Sequence, residues 1–267
     1  MEAFQSRYGR IAWWKSGAGE PLVLIHGTPF SHYVWRRIVP VLARHYTVFE
    51  WDLLGYGSSE KAPSVAPTLD KQNEVLAELL RHWQLDAPRV LAHDFGGCTA
   101  LRGWVVSGLR YRQLMLIDPV ALSPWGSPFV QHVRQHEPAF AGMPAYMHKA
   151  LLRAYISSAM SGDLPEVDWE GYLRPWLGPE NQAAFYRQIA VMDQRYTDEI
   201  RDGLGQVDCP VRLLWGDEDE WIPAKRGAEL AAMLPHCELR SVPFAGHLVQ
   251  EDAPEVVVAE ALDFFRT

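Results

Sequence analysis

The sequence predicts an α/β fold in which a mostly parallel, twisted sheet is flanked by helices on both faces and interrupted by an inserted helical cap. Two observations predict it. Short apolar runs alternate with longer stretches whose apolar residues recur at helical spacing, the pattern of a parallel sheet connected by helices. One interval, residues 120–206, breaks that rhythm: it has no clear strand and is rich in Pro, Trp, Tyr, His and Met. Residues 1–119 and 207–267 are therefore assigned to the sheet domain and residues 120–206 to the cap.

The elements follow in order. Residues 22–25 read as a buried strand leading into His26-Gly27-Thr28-Pro29. Residues 34–44 carry apolar side chains at helical spacing. Residues 46–51 form the next strand, closed by Asp52 and the Gly55-Tyr56-Gly57-Ser58 turn, and residues 69–83 read as a helix. Residues 89–93 are a strand feeding Asp94, with a helix over 96–107 behind it. Residues 113–117 are another core strand, closed by Asp118-Pro119. Strands at 211–215 and 238–242 follow the cap, and a final helix ends the chain.

At 267 residues, 48% of them hydrophobic, the chain is long enough for one α/β domain with an insertion and a large core. A formal charge of −8 with no basic stripe argues against a nucleic-acid partner. Cys98, Cys209 and Cys237 have no metal-ligand spacing and read as reduced, buried thiols. The first residues lack a signal-peptide core, and no run is apolar enough to span a bilayer. The expectation is a soluble, cytoplasmic protein, monomeric or homodimeric, with no nucleic-acid or membrane partner.

The most informative stretch is Ala92-His93-Asp94-Phe95-Gly96-Gly97. It has the shape of a strand-to-helix elbow, whose sharp turn lifts one side chain above the sheet and needs small neighbours. An aspartate occupies the tip. Asp ordinarily titrates at about 3.9, so at neutral pH the group is an anion able to attack saturated carbon and form an alkyl ester. A substrate that loses halide or opens an epoxide suits it better than an ordinary ester. The bland alternative for Asp94 is a helix N-cap, and the two roles are compatible because a helix N-terminus also favours a carboxylate.

Five motifs in this order, His26-Gly27-Thr28-Pro29, Asp52-Leu53-Leu54-Gly55-Tyr56-Gly57-Ser58, the Asp94 elbow, Trp215-Gly216-Asp217-Glu218-Asp219 and Ala245-Gly246-His247, resemble the α/β-hydrolase fold superfamily. The resemblance is to its aspartate-nucleophile branch of haloalkane dehalogenases and epoxide hydrolases. It covers nearly all of the chain outside the cap. The resemblance implies a catalytic set of Asp94 as nucleophile, His247 as the base that activates water, and Asp219 as the acid that orients His247. Asp118 is the alternative acid, because some relatives place the acid after the preceding strand. The backbone amides of Thr28 and Phe95 are implied as an oxyanion hole, with the Thr28–Pro29 peptide cis. His26 and His93 are expected to be structural.

The chain departs from the dehalogenase pattern at the halide clamp. The residue after the nucleophile is Phe95, not tryptophan, and Thr28 stands where asparagine is frequent. Trp35, Trp125 and Trp176 are candidate substitutes. Fluoroacetate dehalogenases carry arginines where this chain has Phe95 and Cys98, which argues against a small haloacid. Epoxide hydrolases use cap tyrosines to protonate the leaving oxygen, and Tyr146 and Tyr155, on one predicted helix, are the candidates. His132, His136 and His148 do not form a ligand set, so no metal is expected and they read as a helix surface.

The leading expectation is a cofactor-independent hydrolase that forms a covalent ester on a small-to-medium hydrophobic substrate, an epoxide hydrolase first and a haloalkane dehalogenase second. A cofactor-free oxygenase or lyase on the same scaffold is the alternative of another class. A binding protein that has lost turnover would show a broken triad, and none of its members is missing here. Trp125, Phe129, Met143, Met147 and Phe185 are expected among the side chains that enclose the pocket.

Overall fold

The computed structural model describes residues 1–266, which build a single eight-stranded sheet. In chain order the strands are β1 (Glu2–Ser6), β2 (Gly9–Gly17), β3 (Glu20–Ile25), β4 (Tyr46–Trp51), β5 (Arg89–His93), β6 (Gln113–Ile117), β7 (Val211–Gly216) and β8 (Cys237–Val242). They lie side by side as β1-β2-β4-β3-β5-β6-β7-β8. The six strands from β4 to β8 run parallel, and β1 and β2 add an antiparallel edge.

Every residue of β5, β6 and β7 is buried, as continuous apolar runs must be when helices cover both faces of a sheet. The helix Leu69–His82 buries Val75, Leu76, Leu79 and Leu80, carries Asp70 in its first turn and ends with Arg81 and His82. Those charges suit the helix dipole at both ends. It packs against the helix Phe95–Val105, which is buried along ten consecutive residues.

Two features differ from the sequence expectation. Residues 34–44 form no continuous helix. A 3-10 turn, His32–Trp35, is followed by the four-residue helix Val39–Leu42, which carries Pro40 in its first turn, where proline is suited, and not in an interior. The β1–β2 edge was not anticipated, because β1 is largely exposed and β2 buries Ile11, Ala12 and Trp13 consecutively, without alternation.

Between β6 and β7 the chain forms the helices Pro128–Ala141, Ala145–Ser157, Glu166–Leu173, Pro179–Ala190 and Arg195–Arg201. Arg36 and Arg37, beside the 3-10 turn, meet Asp168 of this segment and Glu251 of the helix Val249–Asp252. Glu251 also bonds the Tyr172 hydroxyl. No helix among the described residues is long and apolar enough to cross a membrane.

Glu50 on β4 is a buried carboxyl opposite Trp14 of β2 and Leu24 of β3, with no ion-pair partner among the described residues. Burial pushes it up to about 7, an effect that His32 opposes and Asp52 reinforces. The folded chain thus holds a proton that the unfolded chain releases near the ordinary value of 4.5. This costs nothing below that value, grows as pH rises toward 7, and is full above it. Glu50→Gln is therefore expected to stabilise the protein at pH 8, by on the order of 2 kcal/mol, and to leave stability at pH 4 unchanged. Urea unfolding at the two pH values measures this, and an equal gain at both would show that ionisation is not the cause.

Candidate active site

The sheet order turns around at β3: β4 lies on one side of it and β5 on the other. Such switch points open a crevice at the carboxyl ends of the strands, where α/β folds place ligands. His26-Gly27-Thr28 leaves β3 and Asp94 leaves β5 at this crevice.

Asp94 sits at φ +50° and ψ −118°, strained for a residue with a side chain. Its surroundings hold it there. Its amide donates to the Ile117 carbonyl at 3.1 Å, and its own carbonyl accepts from Gly97, Cys98 and Val120. The helix Phe95–Val105 therefore begins on the aspartate and directs its N-terminus toward the carboxylate, a favourable setting for an anion. The two glycines nearby are required by contact. A Cβ on Gly96 would lie 2.2 Å from the Ile25 carbonyl oxygen, and one on Gly27 would lie 2.4 Å from Asp94 itself.

The other expected members converge on the same carboxylate. The Thr28 amide donates to Asp94 Oδ1 at 2.7 Å. His247 Nε2 lies 3.4 Å from Asp94 Oδ2, and His247 Nδ1 lies 2.8 Å from Asp219 Oδ2. Asp219 Oδ1 accepts from the amides of Trp221 and Ile222 at 2.7 and 2.8 Å, which fixes its carboxylate in the turn after β7. All three side chains are buried. Among the described residues no hydrogen bond joins the Phe95 amide to Asp94, so Thr28 alone supplies an amide bond in this state. The Thr28–Pro29 peptide is cis.

The charges set the protonation pattern. Burial disfavours an imidazolium at His247, but Asp219 and then Asp94 outweigh it and raise His247 well above its ordinary value. His26 and His93 lack such a balance: burial depresses them to about 4 and about 3, so both are neutral near pH 7. His26 Nε2 accepts from the Leu53 amide, and His93 Nε2 meets the His247 carbonyl at 2.9 Å. Both brace loops of the site. Asp118 also reaches it: its ligand atoms and those of Asp219 and His247 all lie within 4.8 Å of one another.

Above Asp94 lies a predominantly apolar pocket bounded by Thr28, Phe95, Trp125, Tyr155, Met192 and Trp221, among others. Its free interior is about 40 Å3, space for a few water molecules. Tyr155 belongs to it, and its hydroxyl donates to no described residue. Burial first, and the Asp94 charge second, push that phenol up.

Tyr146 shares the helix Ala145–Ser157 with Tyr155 but is 74% exposed, because nine residues of helix rotate it to the opposite face. The three candidate halide donors are displaced or occupied. The Trp125 indole N–H donates to Thr197 and that of Trp176 to the Pro29 carbonyl, while Trp35 is buried outside the pocket. Of the side chains expected to enclose the pocket, only Trp125 lines it. Phe129 and Phe185 pack against Tyr155, and Met147 is largely exposed. His148 is not on a helix surface: it is buried between the Tyr186 hydroxyl and the Trp176 carbonyl.

Two contributors were not anticipated. Trp221 stacks on His247 at 5.0 Å between ring centres, and Tyr155 stacks on Trp221 at 4.6 Å, so one aromatic column joins the imidazole to the phenol. Trp221 follows the Trp-Gly-x-x-Asp turn by two residues, a position the motif leaves unmarked. Gln188, on the helix Pro179–Ala190, accepts from the hydroxyls of Thr28 and Tyr56, both at 2.8 Å, and so steadies the loop that carries the Thr28 amide. A lone glutamine in an amphipathic helix gives no sequence signal for this.

Residues 22–261 match the family described as Alpha/beta hydrolase family. A crystal structure of an alpha/beta hydrolase fold protein from Burkholderia ambifaria is 52% identical and superposes with a TM-score of 0.95, covering 98% of this chain and 97% of that one. A soluble epoxide hydrolase of a Corynebacterium species is 27% identical, covering 96% of this chain and 93% of that protein. Haloalkane dehalogenase 2 of Mycobacterium tuberculosis is 25% identical over 98% of this chain and 93% of its own length.

Proposed function

Because the chain belongs to the alpha/beta hydrolase family, we propose that it hydrolyses small, neutral, hydrophobic epoxides through a covalent Asp94 ester, with residues 120–206 as the cap over the site. The observation that carries this reading is Tyr155. A phenol with no hydrogen-bond partner among the described residues shares an apolar pocket with a carboxylate held by the Thr28 amide. An epoxide oxygen leaves as an alkoxide unless an acid protonates it, and Tyr155 is the acid available.

The steps balance. An Asp94 oxygen attacks an epoxide carbon, the C–O bond breaks, and the Tyr155 proton passes to the new alkoxide. Esterification removes the Asp94 charge, one of the two that hold His247 protonated. The imidazole then gives up its proton, which returns to the tyrosine oxygen, and becomes a base only once the ester exists. Neutral His247 takes a proton from water, and the hydroxide attacks the Asp94 carboxyl carbon. The oxyanion forms where the Thr28 amide already points, and Phe95 is the second donor of the hole. Collapse releases the diol, whose leaving oxygen takes the proton back from His247, and the Asp94 carboxyl then passes its own proton to the imidazole, which restores the starting ion pair.

The haloalkane reading has less support. A departing halide needs donors, and both indole N–H groups bordering the pocket are occupied, Trp125 by Thr197 and Trp221 by Ser158. The pocket lining contains no lysine or arginine to receive a carboxylate, which argues against an anionic substrate. The test is intact-protein mass spectrometry of His247→Gln incubated separately with epoxides and haloalkanes. The expected result is a mass gain equal to the whole epoxide. An alkyl-sized gain with halide released would establish dehalogenation instead, and no adduct from either set, with binding demonstrated, would point to the oxygenase or lyase chemistry.

A further inference from the structure

Asp118 is a buried carboxyl that the steps above do not use. It leaves β6 at φ +39°, and one oxygen accepts from the Gly216 amide at 3.1 Å. The other oxygen, Oδ2, has no partner among the described residues although it is buried. Asp219, by contrast, has both oxygens engaged, by two amides and by His247. One ligand atom from each of the two carboxyls and from His247 lies within 4.8 Å of the others, and all three residues are buried.

Two carboxylates this close cannot both ionise easily, and the proton settles on the one with fewer donors. That one is Asp118, with a single amide against three donors on Asp219. We infer that Asp118 is a second acid of the site, neutral beside Asp219, which ionises and becomes the partner of His247 when the Asp219 carboxylate is lost. The inference rests on the reading of His247 as the base. Its protonation state agrees: burial first, and Asp219 second, raise Asp118 well above the ordinary carboxyl range. In the intact site Asp118 acts through Asp219, as a positioning residue that limits how strongly Asp219 holds the imidazolium. A side-chain rotation bridges the remaining gap to His247 once Asp219 no longer repels a second charge.

The test compares Asp219→Asn with the double variant Asp118→Asn/Asp219→Asn. His247 titration is followed by two-dimensional NMR of the imidazole, with the signal assigned by its loss in His247→Gln. The Asp94→Asn background is used, so that the Asp94 charge does not contribute. With Asp219→Asn alone, His247 is expected to titrate above the ordinary 6.5 because Asp118 has ionised. In the double variant it should fall below that value, with burial acting unopposed. With Asp94 intact, kcat/KM should drop about 10- to 100-fold for Asp219→Asn and about 10^4-fold for the double variant. Identical titrations and identical rates for the two would overturn the inference. The dispersion of the same spectra reports folding, and Asp118→Ser replaces Asp118→Asn should that double variant not fold. The titration needs no substrate, so it stands even if epoxides prove to be the wrong class.

Discussion

Asp94→Asn should lower kcat/KM toward epoxides by about 10^4-fold or more while the protein melts close to the wild-type temperature. Asparagine has the same shape, tolerates the left-handed backbone at this position, and keeps an oxygen for the Thr28 amide. It also caps a helix about as well as aspartate does. If Asp94 served only to begin the helix Phe95–Val105, the substitution would be nearly silent. As the nucleophile, its replacement removes the attacking anion and with it the ester on which every later step depends. Steady-state kinetics and a thermal melt of the same preparation separate the two roles. Retained turnover would remove Asp94 from the chemistry.

The part of this site that could be read in the sequence is the part carried by short motifs at the ends of strands. Asp94, Gly96, Thr28 and Asp219 each lie in a short motif whose residue types mark it in the sequence, although the contacts that demand its glycines come from distant segments, Ile25 for Gly96 and Asp94 for Gly27. The parallel core was legible for a similar reason, since strands buried on both faces are continuous apolar runs. The edge strands β1 and β2 were not, because burial on one side gave β2 neither a continuous nor an alternating pattern. The choice between Asp219 and Asp118 could not be made from order alone. It is the 2.8 Å contact of Asp219 with His247 that favours Asp219, and the sequence does not encode that distance locally. The pocket walls were the least legible. Tyr146 and Tyr155 lie on one helix, and only its packing against Phe129, Phe185 and Trp221 decides which faces the site. Gln188 acts on Thr28 across 160 residues of chain, a contact no local pattern announces.

Tyr155→Phe should slow the first chemical step on epoxides by about 10^2- to 10^4-fold, the range contributed by a positioned proton donor. The hydroxyl has no bond to a described residue, so its removal leaves no protein group stranded and the fold should be unaffected. The ring is retained, and with it the stacking on Trp221 that continues to His247. Measuring the variant in the His247→Gln background isolates ester formation from ester hydrolysis, so the loss can be assigned to ring opening. Tyr146→Phe, altering an exposed hydroxyl on the same helix, is the matched control and should react at the parent rate. An alkyl halide of the same carbon frame sharpens the comparison, because halide departs without a proton and should be insensitive to Tyr155. Equal slowing of both substrates would mean that the phenol shapes the pocket and is not its acid. Tyr155, Trp125 and Met192 all come from the segment between β6 and β7. As the proton donor of ring opening, Tyr155 would act on the step that forms the ester, so Tyr155→Phe should lower the single-turnover rate of ester formation and kcat/KM together.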